Sequence, residues 1–316
     1  MENPTDNEAF LKEIREDLRN NGAASAATKI QEYLDQQNNI PLNIGITGES
    51  GSGKSTFVNA FRVIDNRDER AAPTGCVETT SQFSPYTHPK YPNVTLWDLP
   101  GVGTTKFPAD KYMKHVGFEK FDFFIIISET LFKENDVKLA QEIQRMGKKF
   151  YFVRSKIDQD SHNAERSQRE FNAESTLARI RENCIQGLQK QGIESPQVFL
   201  VSSFKLHHYD FHQLQEILER ELPAQKRNAL QPALPNINRG IIEKKKEVLK
   251  TTIMCQASIS ALIAAAPVLG LSFAADLASL VIAIKMYQDA FGLDSESLQN
   301  LAKCCGAAPA SSLLLH

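Results

Sequence analysis

Apolar residues recur at helical spacing through residues 8–36: Phe10, Leu11, Ile14 and Leu18, then Ile30, Tyr33 and Leu34. A Gly-Ala-Ala patch at residues 22–24 predicts a break between two short helices. The period then changes. Leu42-Asn43-Ile44-Gly45-Ile46-Thr47 alternates as a strand does. Four more strands are predicted at residues 94–97, 123–127, 150–153 and 198–201. The last three are short continuous apolar runs, the pattern of strands covered on both faces of a parallel sheet. Helical patterning fills residues 56–62, 133–146 and 165–190. Strand–helix alternation of this kind predicts a three-layer α/β domain over residues 40–222.

Pro223, Pro232 and Pro235 mark residues 223–235 as a linker. Residues 237–250 read as a basic helix carrying Lys244-Lys245-Lys246, and residues 251–275 contain no charge. An uncharged run of that length could cover a bilayer core, for which about 20 apolar residues suffice. Thr251, Thr252, Gln256, Ser258, Ser260 and Ser272 weaken that reading, and Pro267 and Gly270 break the run. Two shorter helices in a buried hairpin are expected instead. The organisation expected is therefore an N-terminal helical segment (1–39), an α/β domain (40–222), and a linker with a C-terminal helical segment (223–316).

Hydrophobic residues make up 41% of the chain and charged residues 23%, so a packed core is expected rather than disorder. A net charge of −2 gives no electrostatic footing for nucleic acid as a partner. Cys76, Cys184, Cys255, Cys304 and Cys305 show neither CxxC nor zinc-ligand spacing, which suits a reduced, cytoplasmic compartment. Met1-Glu2-Asn3-Pro4 lacks the features of a secretory signal, and Glu2 excludes N-myristoylation.

The candidate chemistry begins after the first strand. Gly48-Glu49-Ser50-Gly51-Ser52-Gly53-Lys54-Ser55 matches GxxxxGK[ST] in full and, with Thr56, opens a helix. Glycines let backbone N–H groups close around phosphates, and the helix presents its positive end. Lys54 would reach the β/γ-phosphates and Ser55 would bind Mg²⁺. Asp98-Leu99-Pro100-Gly101 follows the next strand, which suits a metal-side carboxylate at Asp98 and a γ-phosphate-sensing N–H at Gly101. Ser155-Lys156-Ile157-Asp158 follows a third strand and resembles the [NT]KxD base-reading motif, with Ser155 in place of Asn or Thr. The Asp158 carboxylate can accept from guanine N1–H and the N2 amine, a donor pair that adenine lacks. The Lys156 stem can pack on the base. Ser202 and Ser203 lie after the last strand, where a backbone N–H could meet guanine O6.

Residues from about 40 to 300 also resemble the immunity-related GTPases, the interferon-inducible family of vertebrates. The P-loop run from Thr47 to Ser55, Trp97-Asp98-Leu99-Pro100-Gly101, and Asp122-Phe123-Phe124-Ile125-Ile126-Ile127-Ser128 carry the likeness. So do Phe150-Tyr151-Phe152-Val153-Arg154, Pro85-Tyr86-Thr87-His88-Pro89, His208-Tyr209-Asp210-Phe211 and Leu234-Pro235-Asn236-Ile237. The resemblance implies a Ras-like P-loop G domain joined to a helical domain built from N- and C-terminal segments. It implies Mg²⁺-dependent GTP hydrolysis to GDP, coupled to self-assembly on intracellular membranes in cell-autonomous defence. Lys54 matches the branch regarded as effectors; the regulatory branch has Met there. The chain is shorter than the roughly 400 residues of the family, and residues 306–316 look unlike it, so the expectation is either a truncated or an alternative form with an incomplete helical domain.

Many small GTPases place a water-orienting Gln after the DxxG glycine. Here that residue is Val102, which cannot orient water. By resemblance, Thr80 or Thr74 would sense Mg²⁺ and the γ-phosphate, and Glu78 would position the water. Slow turnover alone and faster turnover on assembly are expected. A nucleotide-gated binding module with little hydrolysis is the alternative, and Asp158 speaks against an ATPase or kinase.

Overall fold

The computed structural model describes residues 4–75, 83–101, 117–129, 134–264 and 272–299. The chain divides into two compact units, one of residues 41–221 and 233–237, the other of 1–40, 222–232 and 238–316. The second unit opens with helices α1 (Pro4–Asn21) and α2 (Ala23–Asn39), which pack on one another. The break between them is a single residue, Gly22, at φ +87°. That backbone region strains any residue with a Cβ, so glycine is the residue the turn requires. Among the side chains described in this pair, Ile14, Ala26 and Ile30 are buried and apolar.

The other unit holds a six-stranded sheet. Its strands are β1 (Leu42–Thr47), β2 (Ser84–Thr87), β3 (Val94–Asp98), β4 (Phe123–Ser128), β5 (Lys149–Arg154) and β6 (Val198–Leu200), in the order β2-β3-β1-β4-β5-β6. Every neighbouring pair is parallel except β2 with β3. The five strands read from apolar runs are present. The sixth, β2, was not readable: Ser-Pro-Tyr-Thr has no apolar run, and it alternates half-buried and exposed positions at the sheet edge, where proline is tolerated. β4 is buried along its whole length, as a strand covered on both faces must be.

Helices α3 (Lys54–Phe61), α4 (Glu134–Arg145), α5 (Ile157–Ser167), α6 (Ala173–Gln189) and α7 (Phe211–Glu221) follow strands in turn. Phe124 and Ile126 of β4 share a cluster with Leu139, Ala140 and Ile143 of α4 and with Cys184 and Leu188 of α6. A separate aromatic group joins α3 to α7, where Phe57 and Phe61 lie 5.9 and 6.1 Å from Phe211 by ring centroid. Gly45 of β1 is a close approach, since a Cβ there would fall 2.5 Å from the Phe124 ring. The helix expected over 165–190 is in fact α5 and α6. Asn172 separates them by capping α6, accepting from the Ser175 N–H at 2.9 Å, a stop that apolar spacing does not reveal.

The segment read as a linker is helical: α8 spans Ala224–Ala233. Pro223 precedes its first residue, where a missing N–H loses nothing, and Pro232 falls in the last turn. The prolines bracket the helix rather than exclude it. α9 (Arg239–Ala264) runs through the basic segment into the uncharged one and packs on α2 and on α10 (Ser272–Phe291). Lys245 of α9 is buried, with its ammonium 2.9 Å from the Ala290 carbonyl at the negative end of α10. Pro267 and Gly270 lie outside the described residues. Met254, Leu280, Val281 and Ile284 are exposed; the side chains of residues 259–279, on which most of the expected buried hairpin falls, lie outside the described residues. Among the described residues, no helix is long and apolar enough to cross a membrane.

Candidate nucleotide site

The P-loop leaves β1 at Thr47 and enters α3 at Lys54. Gly48, Gly51 and Gly53 all have positive φ, at +139°, +81° and +93°. Gly48 has a second reason to be glycine: a Cβ would fall 2.1 Å from the Ile127 carbonyl oxygen. Gly48→Ala should therefore destabilise the fold by about 3 kcal/mol, because backbone must move to admit the methyl. A urea titration with wild-type midpoint would contradict that.

Lys54 is buried and its ammonium donates to the Glu49 carbonyl at 2.7 Å, curling the lysine over its own loop. Ser55, the next residue of α3, donates to Asp98 at 2.5 Å. Asp98 ends β3 opposite Ile46 and is fully buried. Two strands thus bring together the two oxygens assigned to the metal. Gly101 lies against the same loop: a Cβ there would stand 2.7 Å from the Ser50 nitrogen. Thr56 is half-buried on α3, and Ser50 and Gly51 are exposed at the loop tip. Glu78, Thr80 and Val102 lie outside the described residues; Thr74 is described and exposed.

The base-reading segment is joined to the P-loop. Ser155 is buried, and its hydroxyl lies 2.6 Å from the Ser52 carbonyl and 3.2 Å from the Ser128 carbonyl. The smaller side chain in place of Asn or Thr still reaches the P-loop. Lys156 donates to the Gly51 carbonyl at 2.9 Å and forms an ion pair with Glu129. Its backbone is left-handed, at φ +54°, which costs a non-glycine residue about 1 kcal/mol and is held here by those two partners. The turn it makes starts α5 and puts Asp158 in the first helical turn. Nearby, burial pushes the Asp160 carboxyl above its usual range, against the pull of Arg154 and with the Asp158 charge adding to the rise. Ser202 is buried and Ser203 half-buried after β6, and the Ile157 N–H donates to the Val201 carbonyl at 3.4 Å.

Two residues of this neighbourhood were missed in the sequence. Glu129 follows β4 and pairs with Lys156; Asn135 in α4 donates to the Glu49 carboxylate at 2.8 Å. Neither belongs to a motif. The only available signal was that Glu129 sits at a strand's C-terminal end, where ligand sites of parallel sheets collect. Cys184 is a free thiol, raised by burial to about 11, and lies in the core, outside this chemistry.

A mainly parallel sheet with one antiparallel edge, a P-loop after β1, an Asp at the end of β3 and the Ser155–Asp158 turn after β5 define a Ras-like P-loop G domain. Residues 7–311 match the family model described as interferon-inducible GTPase, and the chain belongs to that family. It is 44% identical over 275 residues to interferon-gamma-inducible GTPase 10 of Mus musculus, covering 87% of this chain and 66% of that protein. It is 42% identical over 294 residues to interferon-inducible GTPase 1 of Mus musculus, covering 93% and 71%. Interferon-inducible GTPase 5 of Rattus norvegicus is 42% identical over 298 residues, covering 94% and 64%. The chain thus spans about two thirds of the length of these curated relatives.

Proposed function

We propose that this chain binds GTP with Mg²⁺ and hydrolyses it to GDP, and that hydrolysis accelerates when copies assemble on intracellular membranes in cell-autonomous defence. The observation that carries the nucleotide reading is the joining of two half-sites. Lys54, Ser55 and Asp98 form a phosphate end, and Ser155 and Lys156 fasten the Asp158 turn to the same loop. Family membership supports GTP over other nucleotides. The Ser55 hydroxyl and Asp98 carboxylate are hard oxygen donors of the kind Mg²⁺ prefers, and a cation there would offset a buried negative charge. When bound, the ion supplies positive charge to the β/γ-phosphate oxygens. Lys54 would leave the Glu49 carbonyl for those phosphates, and the Gly101 N–H would report the γ-phosphate. A cytoplasmic protein held peripherally at intracellular membranes is part of the same proposal, drawn from the resemblance described above.

Val102 follows Gly101 with a hydrocarbon side chain. A single copy therefore lacks the usual water-orienting group, and Glu78 or a neighbouring copy must supply it. Turnover per molecule should rise with protein concentration, about tenfold or more between dilute and assembled protein. Glu78→Ala should flatten that rise and leave GTP affinity unchanged. High turnover at every concentration would show a catalytic group within one copy. Negligible turnover at every concentration would favour the second reading that Val102 supports, a nucleotide-gated module that holds GTP without consuming it.

A further inference from the structure

Phe204 is 71% exposed, and it is the single aromatic among the large exposed apolar side chains of the described residues. The backbone of the loop that carries it is closed by hydrogen bonds at its tip and its base. The Lys205 N–H donates to the Ser202 carbonyl at 3.1 Å, which closes a turn with Phe204 as its third residue. The His208 N–H donates to the Lys205 carbonyl at 3.1 Å. Asp210 closes the loop at its base, with its N–H on the Leu200 carbonyl at 2.9 Å and its carboxylate accepting from the Leu200 N–H at 2.7 Å. Arg181 pairs with that carboxylate at 2.7 Å.

The loop leaves the sheet beside the base-reading turn. The Val201 carbonyl accepts from Ile157, the residue between Lys156 and Asp158. Three Cα steps separate Val201 from Phe204, at most about 11 Å even if fully extended, and the turn shortens that span. A phenyl ring carried on this loop is within reach of a planar base gripped at Asp158. We infer that Phe204 is a further nucleotide-binding residue: its ring stacks on the purine face, while the Lys156 stem covers the other. The inference rests on the reading of Asp158 as the base end of the site. An aromatic platform is indifferent to the base's donor pattern, so Phe204 contributes affinity and Asp158 contributes the choice of guanine.

The test uses the full chain and GDP, with inorganic tripolyphosphate as the base-free control. Phe204→Ala should weaken GDP about tenfold, the scale of base–aromatic stacking, and leave tripolyphosphate binding unchanged. Phe204→Trp should keep GDP affinity and add an emission that GDP quenches and tripolyphosphate does not. The background is a single tryptophan, Trp97, whose ring lies 3.6 Å below the Lys120 ammonium on β3. Wild-type GDP affinity in Phe204→Ala, or an unquenched Phe204→Trp, would overturn the stacking role. Equal weakening of GDP and tripolyphosphate would also overturn it, because the loop rather than the base contact would have been lost. Unchanged GDP affinity with loss of concentration-dependent turnover would place Phe204 at a contact between copies instead. A wild-type chain that binds tripolyphosphate but not GDP would remove the base end itself, and the inference with it.

Discussion

Lys54→Ala should lose about hundredfold or more in affinity for GTP and GDP, close to 3 kcal/mol, while the chain stays folded. The ammonium is buried at the first residue of α3 and sits 2.7 Å from the Glu49 carbonyl. A carbonyl is a modest partner for a buried charge, and a polyphosphate is a far stronger one. Truncation leaves the phosphate without its charged donor, and no other lysine lies in the loop. Stability should change much less, because in the free protein the ammonium gives up a bond to a neutral carbonyl, that of Glu49, rather than to a phosphate. Isothermal titration with GDP measures the first effect and thermal denaturation the second. Wild-type GDP affinity in this variant would remove the P-loop from the phosphate site.

The second large effect lies at the other end of the site. Asp158→Asn should weaken guanine nucleotides about hundredfold and raise affinity for xanthine nucleotides. Guanine offers two donors, N1–H and the N2 amine, and a carboxylate accepts both. Xanthine offers one donor and a carbonyl in place of the amine, which suits an amide that accepts and donates. The substitution keeps the side chain's shape, so the first turn of α5 and the left-handed Lys156 before it should persist. Competition between GDP and xanthosine diphosphate reads the change directly. An unaltered preference for guanine would show that the base is read elsewhere.

Much of the sheet was legible because burial on both faces leaves an unmistakable trace. Phe123 to Ile127 is an unbroken apolar run, and β4 occupies it. The edge strand β2 was not legible, since its ladder rests on backbone bonds to β3 and its side chains alternate without an apolar face. The helix over residues 224–233 was hidden by its prolines, which count against helix only when they interrupt it. At the candidate site, motifs pointed to Lys54, Ser55, Asp98 and Asp158 and to their places after strands, because each follows a strand that spacing can predict. They did not locate Glu129 or Asn135, which touch the motifs by tertiary packing across 27 and 86 residues. Nor did they indicate that Ser155 would join the two loops, since a serine in a polar loop carries no sign of its partner.

That junction of the Asp158 turn to the P-loop has a consequence for how a nucleotide is held. On the proposed reading, guanosine and pyrophosphate taken separately would each meet only one end. Because Ser155 and Lys156 fix the distance between the ends before anything binds, an intact nucleotide behaves as a bivalent ligand on a rigid pair of receptors. Once its phosphates are seated, the base meets its own half-site at a high effective concentration set by the protein frame rather than by solution. The affinity of the whole should therefore exceed what the two fragments predict, and the excess resides in side chains that never touch the nucleotide's reading edge.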